Sequence, residues 1–405
     1  MAAERRFLPY ARQLIDEADI AAVSDVLRSA MLTTGPEVER FETALAAEVG
    51  AAHAVACSNG TAALHLAAMA LDLGPGDTAI VPAVTFLATA NVVRLQGAEV
   101  VFADVDPDTA LMTAETLAAA IEQCGKTVRA AFPVHMAGQS CDMAAIGEVA
   151  ARSGIRLVED ACHALGSFAG ARDGRRVAVG SCADADFACF SMHAVKTVAM
   201  GEGGAVTTND PGAAARLRRL RNHGMVRDPA AFERPAQAFA PDGGPNPWYY
   251  EMPEIGLNYR LTDIQCALGR SQLGKLAPFV ARRRQLVERY DAALRRLSPR
   301  ARPLARRAQP ADTAWHLYVV LIDFDEIGLD RATVMNRLRE RGVGTQVHYI
   351  PLYRQPYYEA RYGARTLPGA ERYYARALSL PLFPAMTEDD VDHVAACLKA
   401  TLDGA

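Results

Sequence analysis

The chain has 405 residues, 50% of them hydrophobic, and its 43 basic and 47 acidic side chains give a formal net charge of −4. This near-neutral balance offers no basic surface for a nucleic acid backbone, and the composition is typical of soluble globular proteins. No run approaches the roughly 18 apolar residues of a membrane span, and the N-terminal residues lack the apolar core of a signal peptide. We therefore expect a cytoplasmic protein that acts on small molecules, with neither nucleic acid nor membrane as a partner.

Strand-like and helical patterns alternate between residues 50 and 210, as in a mostly parallel sheet whose strands are connected by crossover helices. The predicted strands cover residues 53–57, 78–81, 99–104, 129–135 and 156–159. The predicted helices between them cover residues 61–71, 86–96, 114–123 and 143–152. This alternation predicts an α/β fold, in which ligands bind at the carboxyl ends of the strands.

The rest of the chain predicts a long loop and a second, smaller α+β domain. Residues 225–258 have no periodicity and form one long excursion, of a length that is usually functional or disordered. The patterns after it are a helical region at 261–297, interrupted near Pro278, a strand at 316–322, and helices at 331–341 and 388–402. We expect an N-terminal arm and large domain over residues 1–260, and a connecting helix and small domain over residues 261–405.

The eight cysteines are scattered, with no Cys-x-x-Cys pair and no Cys/His cluster at metal-ligand spacing. We therefore expect buried thiols in a reducing compartment, and no metal site. The basic residues include only four lysines, which are Lys126, Lys196, Lys275 and Lys399. A lysine in a special setting consequently stands out.

Lys196 has such a setting. It follows a strand-like run that ends near Ser191 and precedes a glycine-rich turn at residues 201–204. A buried amine at this position would have a lowered pKa and would form a Schiff base with a carbonyl compound. A surface lysine beside a turn is the alternative interpretation of this segment alone.

Asp160 favours the first interpretation, because it ends a predicted strand 36 residues before Lys196. Pyridoxal phosphate requires a carboxylate at its ring nitrogen, so that the ring stays protonated and accepts electrons. Its phosphate requires backbone amides, which Gly60 and Thr61 would supply where the predicted helix 61–71 begins, although such a start is often only a cap. Together these residues predict a pyridoxal phosphate site.

Five segments of the chain carry motifs of a known family. In chain order they are SNGTAAL (58–64), VTF (84–86), EDACHALG (159–166), FSMHAVK (190–196) and GLNYRLTD (256–263). As a set, and in this order, they closely resemble the DegT/StrS family of sugar aminotransferases. The resemblance implies a fold-type-I, pyridoxal-phosphate-dependent transaminase with a large cofactor-binding domain, normally a homodimer with two active sites at the subunit interface.

By this resemblance, Lys196 matches the lysine that holds the cofactor covalently, and Asp160 matches the partner of the pyridine nitrogen. His163 matches the position beside the phenolic oxygen, which is often Gln in relatives, and Phe86 matches the aromatic residue that covers the ring. Some members carry His in place of the lysine and act as dehydratases, so Lys196 places the chain among the aminotransferases. Lys196 and Asp160 are therefore the expected catalytic residues.

The same resemblance assigns the phosphate contacts to Gly60, Thr61 and Ser191. Asn258 matches an asparagine that the neighbouring subunit delivers to the cofactor. The excursion at residues 225–258 would then be a loop that crosses the dimer interface.

A finer resemblance, to the pseudaminic-acid-pathway members of the family, rests on residues 7–13, 32–36, 162–164, 193–196 and 346–353. It implies transfer of the amino group of L-glutamate to C4 of a UDP-linked 4-keto-6-deoxy-N-acetylhexosamine. The residues that would line the nucleotide-sugar site are Tyr10, Leu32, Thr33, Thr34, Gln346, His348 and Tyr349. Met192 and Ala194 depart from the usual Phe and Pro beside the lysine, which puts the shape of the substrate pocket in doubt.

Three alternatives stay open at this point. The main one is a family member that acts on a GDP-linked or dTDP-linked 4-keto sugar. A non-catalytic regulatory protein with the same fold would have no use for Lys196, Asp160 and the phosphate site together, and a lysine Schiff-base lyase or aldolase would leave Asp160 unexplained. His135 is either structural or part of the site, and His316 is expected to be structural.

Overall fold

The computed structural model describes residues 7–295, 297, 299–307 and 312–404. Its helices are α1 Glu17–Arg28, α2 Pro36–Val49, α3 Gly60–Ala70, α4 Leu87–Leu95, α5 Ala114–Cys124, α6 Met143–Ser153, α7 Pro211–Leu220, α8 Pro235–Ala238, α9 Asp263–Leu273, α10 Leu276–Leu294, α11 Arg331–Glu340, α12 Pro356–Tyr362, α13 Pro368–Arg376 and α14 Glu388–Asp403. Its strands are β1 His53–Cys57, β2 Thr78–Pro82, β3 Glu99–Ala103, β4 Val128–Ala131, β5 Arg156–Asp160, β6 Phe168–Gly170, β7 Arg176–Ala178, β8 Phe187–Ser191, β9 Gly204–Thr208, β10 Ala301–Pro303, β11 Tyr318–Ile322 and β12 Ala377–Leu380.

The central sheet contains seven strands in the order β1-β9-β8-β5-β4-β2-β3. Strand β9 runs antiparallel to both of its neighbours, and the other neighbouring pairs are parallel. The inner strands are apolar runs, and all five residues of β2 are buried, because helices cover both faces of a sheet of this kind. The architecture confirms the predicted α/β fold with a mostly parallel sheet.

The carboxyl ends of β1, β2, β5 and β8 lie at one edge of this sheet, because these four strands run in the same direction. Loops therefore leave this edge after Cys57, Pro82, Asp160 and Ser191. Each of these loops contains, or begins with, residues that the sequence assigns to the cofactor. The topology thus brings together segments that are distant along the chain.

Strand β4 is shorter than the strand predicted at residues 129–135, since it ends at Ala131. Pro133 follows shortly afterwards, and proline has no N–H group to donate to a neighbouring strand. Beyond it, contact with β5 is limited to an isolated bridge between Val134 and Asp160. The shortening leaves Asp160 at the very end of the sheet.

The helical region predicted at residues 261–297 consists of two helices, α9 and α10. The break between them falls at Gly274 and Lys275 rather than near Pro278. Pro278 lies in the first turn of α10, where backbone N–H groups have no partner within the helix. The missing N–H of this proline therefore does not interrupt the helix.

The excursion at residues 225–258 folds back on itself and contains the short helix α8. Val226 and Glu251 pair through two backbone hydrogen bonds of 2.8 and 3.0 Å. The excursion also presents large apolar side chains to the surface of the chain, since Trp248 is 74% exposed and Ile255 is 77% exposed.

A second sheet, of three antiparallel strands in the order β10-β11-β12, lies in the C-terminal part of the chain. The predicted strand at 316–322 corresponds to β11, whereas β10 and β12 are not among the predicted strands. Helices α10, α11 and α14 pack with it around a core that includes Tyr290 and, from the N-terminal arm, Leu8. The division into domains at residues 1–260 and 261–405 stays a prediction. Within the ranges given above, no helix is both long enough and apolar enough to cross a membrane.

Candidate active site

A cavity of about 640 Å³ opens at the carboxyl edge of the central sheet. The predicted site residues that line it are Tyr10, Gly60, Thr61, Phe86, Asp160, His163, Ser191, Lys196, Gln346, His348 and Tyr349. The predicted site residues that do not line it are Leu32, Thr33, Thr34 and Asn258. The fold therefore gathers most of the predicted residues, from widely separated segments, around one space.

Lys196 follows β8 after a tight turn, in which its backbone N–H donates to the carbonyl oxygen of His193 at 2.8 Å. Its side chain is partly buried and lines the cavity. Withdrawal from water lowers the pKa of the Lys196 amine, and the nearby Cys162 and Asp160 oppose this effect only in part. The lowered pKa increases the fraction of neutral amine at neutral pH, and the neutral amine is the form that acts as nucleophile and proton acceptor.

Asp160 ends β5 and is only 4% exposed. Its Oδ1 accepts a hydrogen bond from the backbone N–H of Cys162 at 3.2 Å, and its Oδ2 accepts one from Thr89 Oγ1 at 2.7 Å. Its own backbone N–H donates to the carbonyl oxygen of Pro133 at 2.8 Å. The carboxylate is thus held in one orientation at the floor of the cavity.

The N-terminus of α3 forms another part of the floor. Asn59 caps this helix, since its Oδ1 accepts the backbone N–H of Ala62 at 2.9 Å. Gly60 allows close approach to β8, because a Cβ atom there would lie 2.8 Å from the Cβ of Ser191 and 3.3 Å from the Sγ of Cys162. Free N–H groups and the helix dipole make such a terminus a binding site for phosphate.

His163 is buried beside Lys196. Its Nε2 forms a hydrogen bond with the hydroxyl of Tyr349, at 3.2 Å. Its Nδ1 is buried and has no hydrogen-bond partner among the residues that the structure describes. Burial, reinforced by the positive charge of Lys196 and the proximity of His348, lowers the pKa of His163 well below its usual value. The imidazole is therefore neutral, with one ring nitrogen left for a ligand.

The opposite wall consists mainly of aromatic and imidazole rings. The Phe86 ring is 54% exposed and lies 6.0 Å, centroid to centroid, from the Tyr349 ring. The Tyr10 ring lies 5.5 Å from the His348 ring, and the Nδ1 of His348 lies 2.8 Å from Ser379 Oγ. Burial lowers the pKa of His348 to about 3, so this ring is also neutral. Such a wall suits a sugar or a nucleobase better than a charged group.

The other predicted residues lie elsewhere on the chain. Thr33 pairs with Thr262 through an isolated bridge, and Asn258 pairs with Asn222 in the same way. Thr34 and Asn222 line a separate depression, which also contains Arg260. The assigned roles of Leu32 to Thr34 and of Asn258 stay predictions, and the role of Asn258 is the one that presumes a neighbouring subunit.

Two histidines that the sequence left open or assigned to structure are now placed. His135 uses both ring nitrogens within the protein, since Nε2 lies 2.8 Å from Glu159 Oε2 and Nδ1 accepts the backbone N–H of Cys141 at 3.1 Å. It does not line the cavity, which favours the structural interpretation. His316, in contrast, lies with its ring centroid 4.5 Å from that of His163, just behind the site.

The sequence does not single out Thr85, Thr89 or Glu202 for the site. Thr85 and Glu202 line the cavity, and Thr89 contacts Asp160 from behind. Thr85 lies in the VTF motif and Glu202 in the glycine-rich turn, but neither segment marks these side chains as site residues. Threonines near a helix start usually serve as caps or packing residues, so no local signal identifies Thr89. The described residues contain no group of three or more His, Cys, Asp or Glu side chains that would hold a metal ion.

A model of the DegT/DnrJ/EryC1/StrS aminotransferase family matches residues 13–399 of the chain. The chain belongs to this family. It is 40% identical over 402 residues to the spore coat polysaccharide biosynthesis protein SpsC of Bacillus subtilis strain 168, with 98% of each chain covered.

Two solved structures show the same fold over nearly the whole chain. The Helicobacter pylori aminotransferase PseC, involved in the biosynthesis of pseudoaminic acid, has a TM-score of 0.85 at 27% identity, covering 99% of this chain and 100% of PseC. The structure of DesI in the presence of its TDP-sugar product has a TM-score of 0.83 at 33% identity, covering 99% of this chain and 94% of DesI. These findings confirm a fold-type-I, pyridoxal-phosphate-dependent sugar aminotransferase, and we do not retain the regulatory or cofactor-free interpretations.

The residues of the cavity fit pyridoxal phosphate. Asp160 offers a fixed carboxylate for the ring nitrogen. The N-terminus of α3, where Gly60 lets the helix pack closely against Ser191, offers backbone N–H groups and hydroxyls for the phosphate. The unpartnered Nδ1 of His163 suits the phenolic oxygen, and Lys196 supplies the amine that holds the cofactor. Each polar group of the cofactor therefore has a counterpart on this chain.

Substitution of Gly60 should weaken cofactor binding, whereas substitution of a glycine with open space around it should not. Gly60→Ala places a methyl group 2.8 Å from Ser191 Cβ, so the phosphate site must shift. We expect affinity for pyridoxal phosphate, measured by fluorescence titration, to fall about tenfold or more. Gly74→Ala is the matched control, because a Cβ there meets no atom within 4 Å. Wild-type affinity in Gly60→Ala would contradict the placement of the phosphate.

His163→Gln should retain activity within about tenfold of the wild type, because a neutral amide replaces a neutral imidazole. Burial lowers the pKa of His163 well below the usual value of 6.5, so the ring is neutral from pH 6.5 to 8. The variant should therefore show the same rate profile as the wild type over that range. Disappearance of a titration between pH 6 and 7 would show that His163 acts in its charged form.

Proposed function

We propose that this enzyme transfers the amino group of L-glutamate to C4 of a UDP-linked 4-keto-6-deoxy-N-acetylhexosamine, a step in pseudaminic acid biosynthesis. The observation that carries the proposal is that one cavity holds both Lys196 and the Gln346 to Tyr349 segment, on which the finer resemblance rests. The volume of about 640 Å³ lies within the usual range for small-molecule sites.

The reaction consists of two half-reactions that use the same side chains. Pyridoxal phosphate, when bound, supplies an electron sink for a carbanion. In the first half-reaction the neutral amine of Lys196 would take the proton from Cα of glutamate and pass it to the cofactor, where the amino group stays when water releases 2-oxoglutarate. In the second half-reaction the same amine delivers a proton to C4 of the sugar, while Asp160 holds the ring nitrogen protonated.

Lys196 is the sole lysine or arginine among the described residues that line the cavity. The diphosphate of a nucleotide sugar and the carboxylates of glutamate nevertheless require cationic partners. We infer that a second copy of the chain supplies them in a homodimer with shared sites. The position of Asn258 outside its own cavity and the exposed Trp248 and Ile255 of the excursion support this inference.

The substrate is tested by incubating the holoenzyme with L-glutamate and separate UDP-, dTDP- and GDP-linked 4-keto-6-deoxy sugars, and following products by mass spectrometry. The proposal predicts an amino sugar only from the UDP-linked N-acetylhexosamine, with one 2-oxoglutarate released for each. Turnover confined to a dTDP-linked sugar, the kind of product present in the DesI structure, or to a GDP-linked sugar would overturn it while leaving the aminotransferase mechanism intact.

A further inference from the structure

A short hydrogen-bond chain leads from the helix α4 region to the carboxylate of Asp160. Thr89 Oγ1 donates to Asp160 Oδ2 at 2.7 Å, and the hydroxyls of Thr85 and Thr89 lie 2.9 Å apart. We propose that Thr89, supported by Thr85, is a positioning residue that orients the Asp160 carboxylate and keeps the shared proton on the ring nitrogen of pyridoxal phosphate.

The chemistry of Thr85, Thr89 and Asp160 determines which group donates each hydrogen bond. A carboxylate only accepts hydrogen bonds, so the single hydroxyl proton of Thr89 points to Asp160. Thr89 then has only lone pairs left for Thr85, and Thr85 must donate to it. Both dipoles therefore point their positive ends towards the carboxylate, and each strengthens the other.

Burial makes these hydrogen bonds difficult to replace. Thr89 is 0% exposed and Thr85 is 1% exposed, so water does not compete for Asp160 Oδ2. Thr89 lies in the first turn of α4 and does not line the cavity, so it acts through Asp160 rather than on a ligand. A helical threonine often bonds to the carbonyl four residues earlier, but the Thr89 hydroxyl is committed to Asp160.

Asp160 would also have the ring nitrogen of the cofactor as a partner, and the protonation of that nitrogen depends on the other hydrogen bonds to Asp160. The ring nitrogen and Asp160 would share one proton, which stays on nitrogen only while the negative charge on oxygen is stabilised by other donors. Two donors serve this purpose here, the Thr89 hydroxyl and the backbone N–H of Cys162. Lys196, Cys162, Cys189 and Tyr349 interact electrostatically with Asp160, and none of them is substituted in the variants below.

The test uses holoenzyme loaded with pyridoxal phosphate labelled with ¹⁵N at the ring, whose chemical shift reports protonation of that nitrogen. Thr89→Val keeps the shape and removes the donor. We expect its signal to move towards the unprotonated value, and the glutamate half-reaction to slow by about tenfold to hundredfold. Thr89→Ser restores the donor and should restore both readouts.

The hydrogen bonds from Thr85 through Thr89 to Asp160 also predict how the effects of the two substitutions combine. Thr85→Val should shift the signal less than Thr89→Val, and the double variant should match Thr89→Val alone, because the Thr85 hydroxyl reaches Asp160 only through the Thr89 hydroxyl. Thr85→Val keeps the direct bond to Asp160, so it tests the proposal even if Thr89→Val does not fold.

The matched control is Thr401→Val in α14, which removes an equally buried hydroxyl, bonded to Cys397 at 2.8 Å, far from the cavity. A merely structural role for Thr89 would lower the melting temperature of Thr89→Val, as in the control, and leave the ¹⁵N signal unchanged. An unchanged ¹⁵N signal in folded Thr89→Val that is loaded with pyridoxal phosphate would overturn the proposal. A double variant whose ¹⁵N shift is the sum of the Thr85→Val and Thr89→Val shifts would also overturn it.

Discussion

Replacement of Lys196 by Ala or Arg is expected to abolish turnover and to remove the visible absorbance that arises from the covalent bond between Lys196 and the cofactor. Alanine has no amine, and the guanidinium of arginine stays protonated, so it neither joins the cofactor nor carries the proton. The lysine amine and the arginine guanidinium differ most in a buried setting such as this one, because withdrawal from water lowers the pKa of the Lys196 amine. Both half-reactions should fail, as followed by 2-oxoglutarate release and by amino-sugar formation.

Lys126 offers the matched control, since it is exposed and does not line the cavity. Lys126→Ala and Lys126→Arg should retain wild-type rates and absorbance. Retained turnover in either Lys196 variant would contradict the assignment of the proton carrier.

Asp160→Asn is expected to slow the glutamate half-reaction by about two to three orders of magnitude, because the ring nitrogen loses its ionic partner in a buried site. Asparagine has nearly the same shape, so the cavity should persist, but its single amide oxygen accepts from only one of the two donors, the Thr89 hydroxyl or the backbone N–H of Cys162. The direct readout is the single-turnover rate with glutamate, measured after saturation with pyridoxal phosphate.

Glu159→Gln provides the control for Asp160→Asn. Glu159 is the adjacent residue of β5, is 5% exposed, and bonds to His135 rather than facing the cavity. The control should change the rate by no more than about threefold. Equal losses in the two variants would mean that β5 needs both carboxylates for folding and that Asp160 has no special role.

Most of the central sheet is predictable from the sequence because its signal is local, but the antiparallel strand β9 is not among the predicted strands. Each inner strand is a short apolar run followed by polar or glycine-containing residues, and parallel strands end at one edge. Lys196, Asp160 and the Gly60 turn each carry such a signal. The strand predicted at 129–135 is too long because Pro133, visible in the sequence, outweighs the apolar residues around it.

The contacts behind the site are not predictable in this way. Thr89 and Asp160 are 71 residues apart, and nothing in the sequence near either residue indicates that they meet. The approach of His316 to His163 likewise depends on how the C-terminal part of the chain packs against the sheet edge. Asn258 is a different case, because its motif is local but its proposed partner is a second chain.

The most direct test of the central claim uses the small number of lysines. Holoenzyme is treated with sodium borohydride, which fixes the cofactor to the lysine that holds it, and the modified residue is identified by peptide mapping. The four candidates are Lys126, Lys196, Lys275 and Lys399. Our account predicts modification of Lys196 alone, lost after prior incubation with glutamate. Modification of another lysine, or of none in protein that retains bound cofactor, would contradict it.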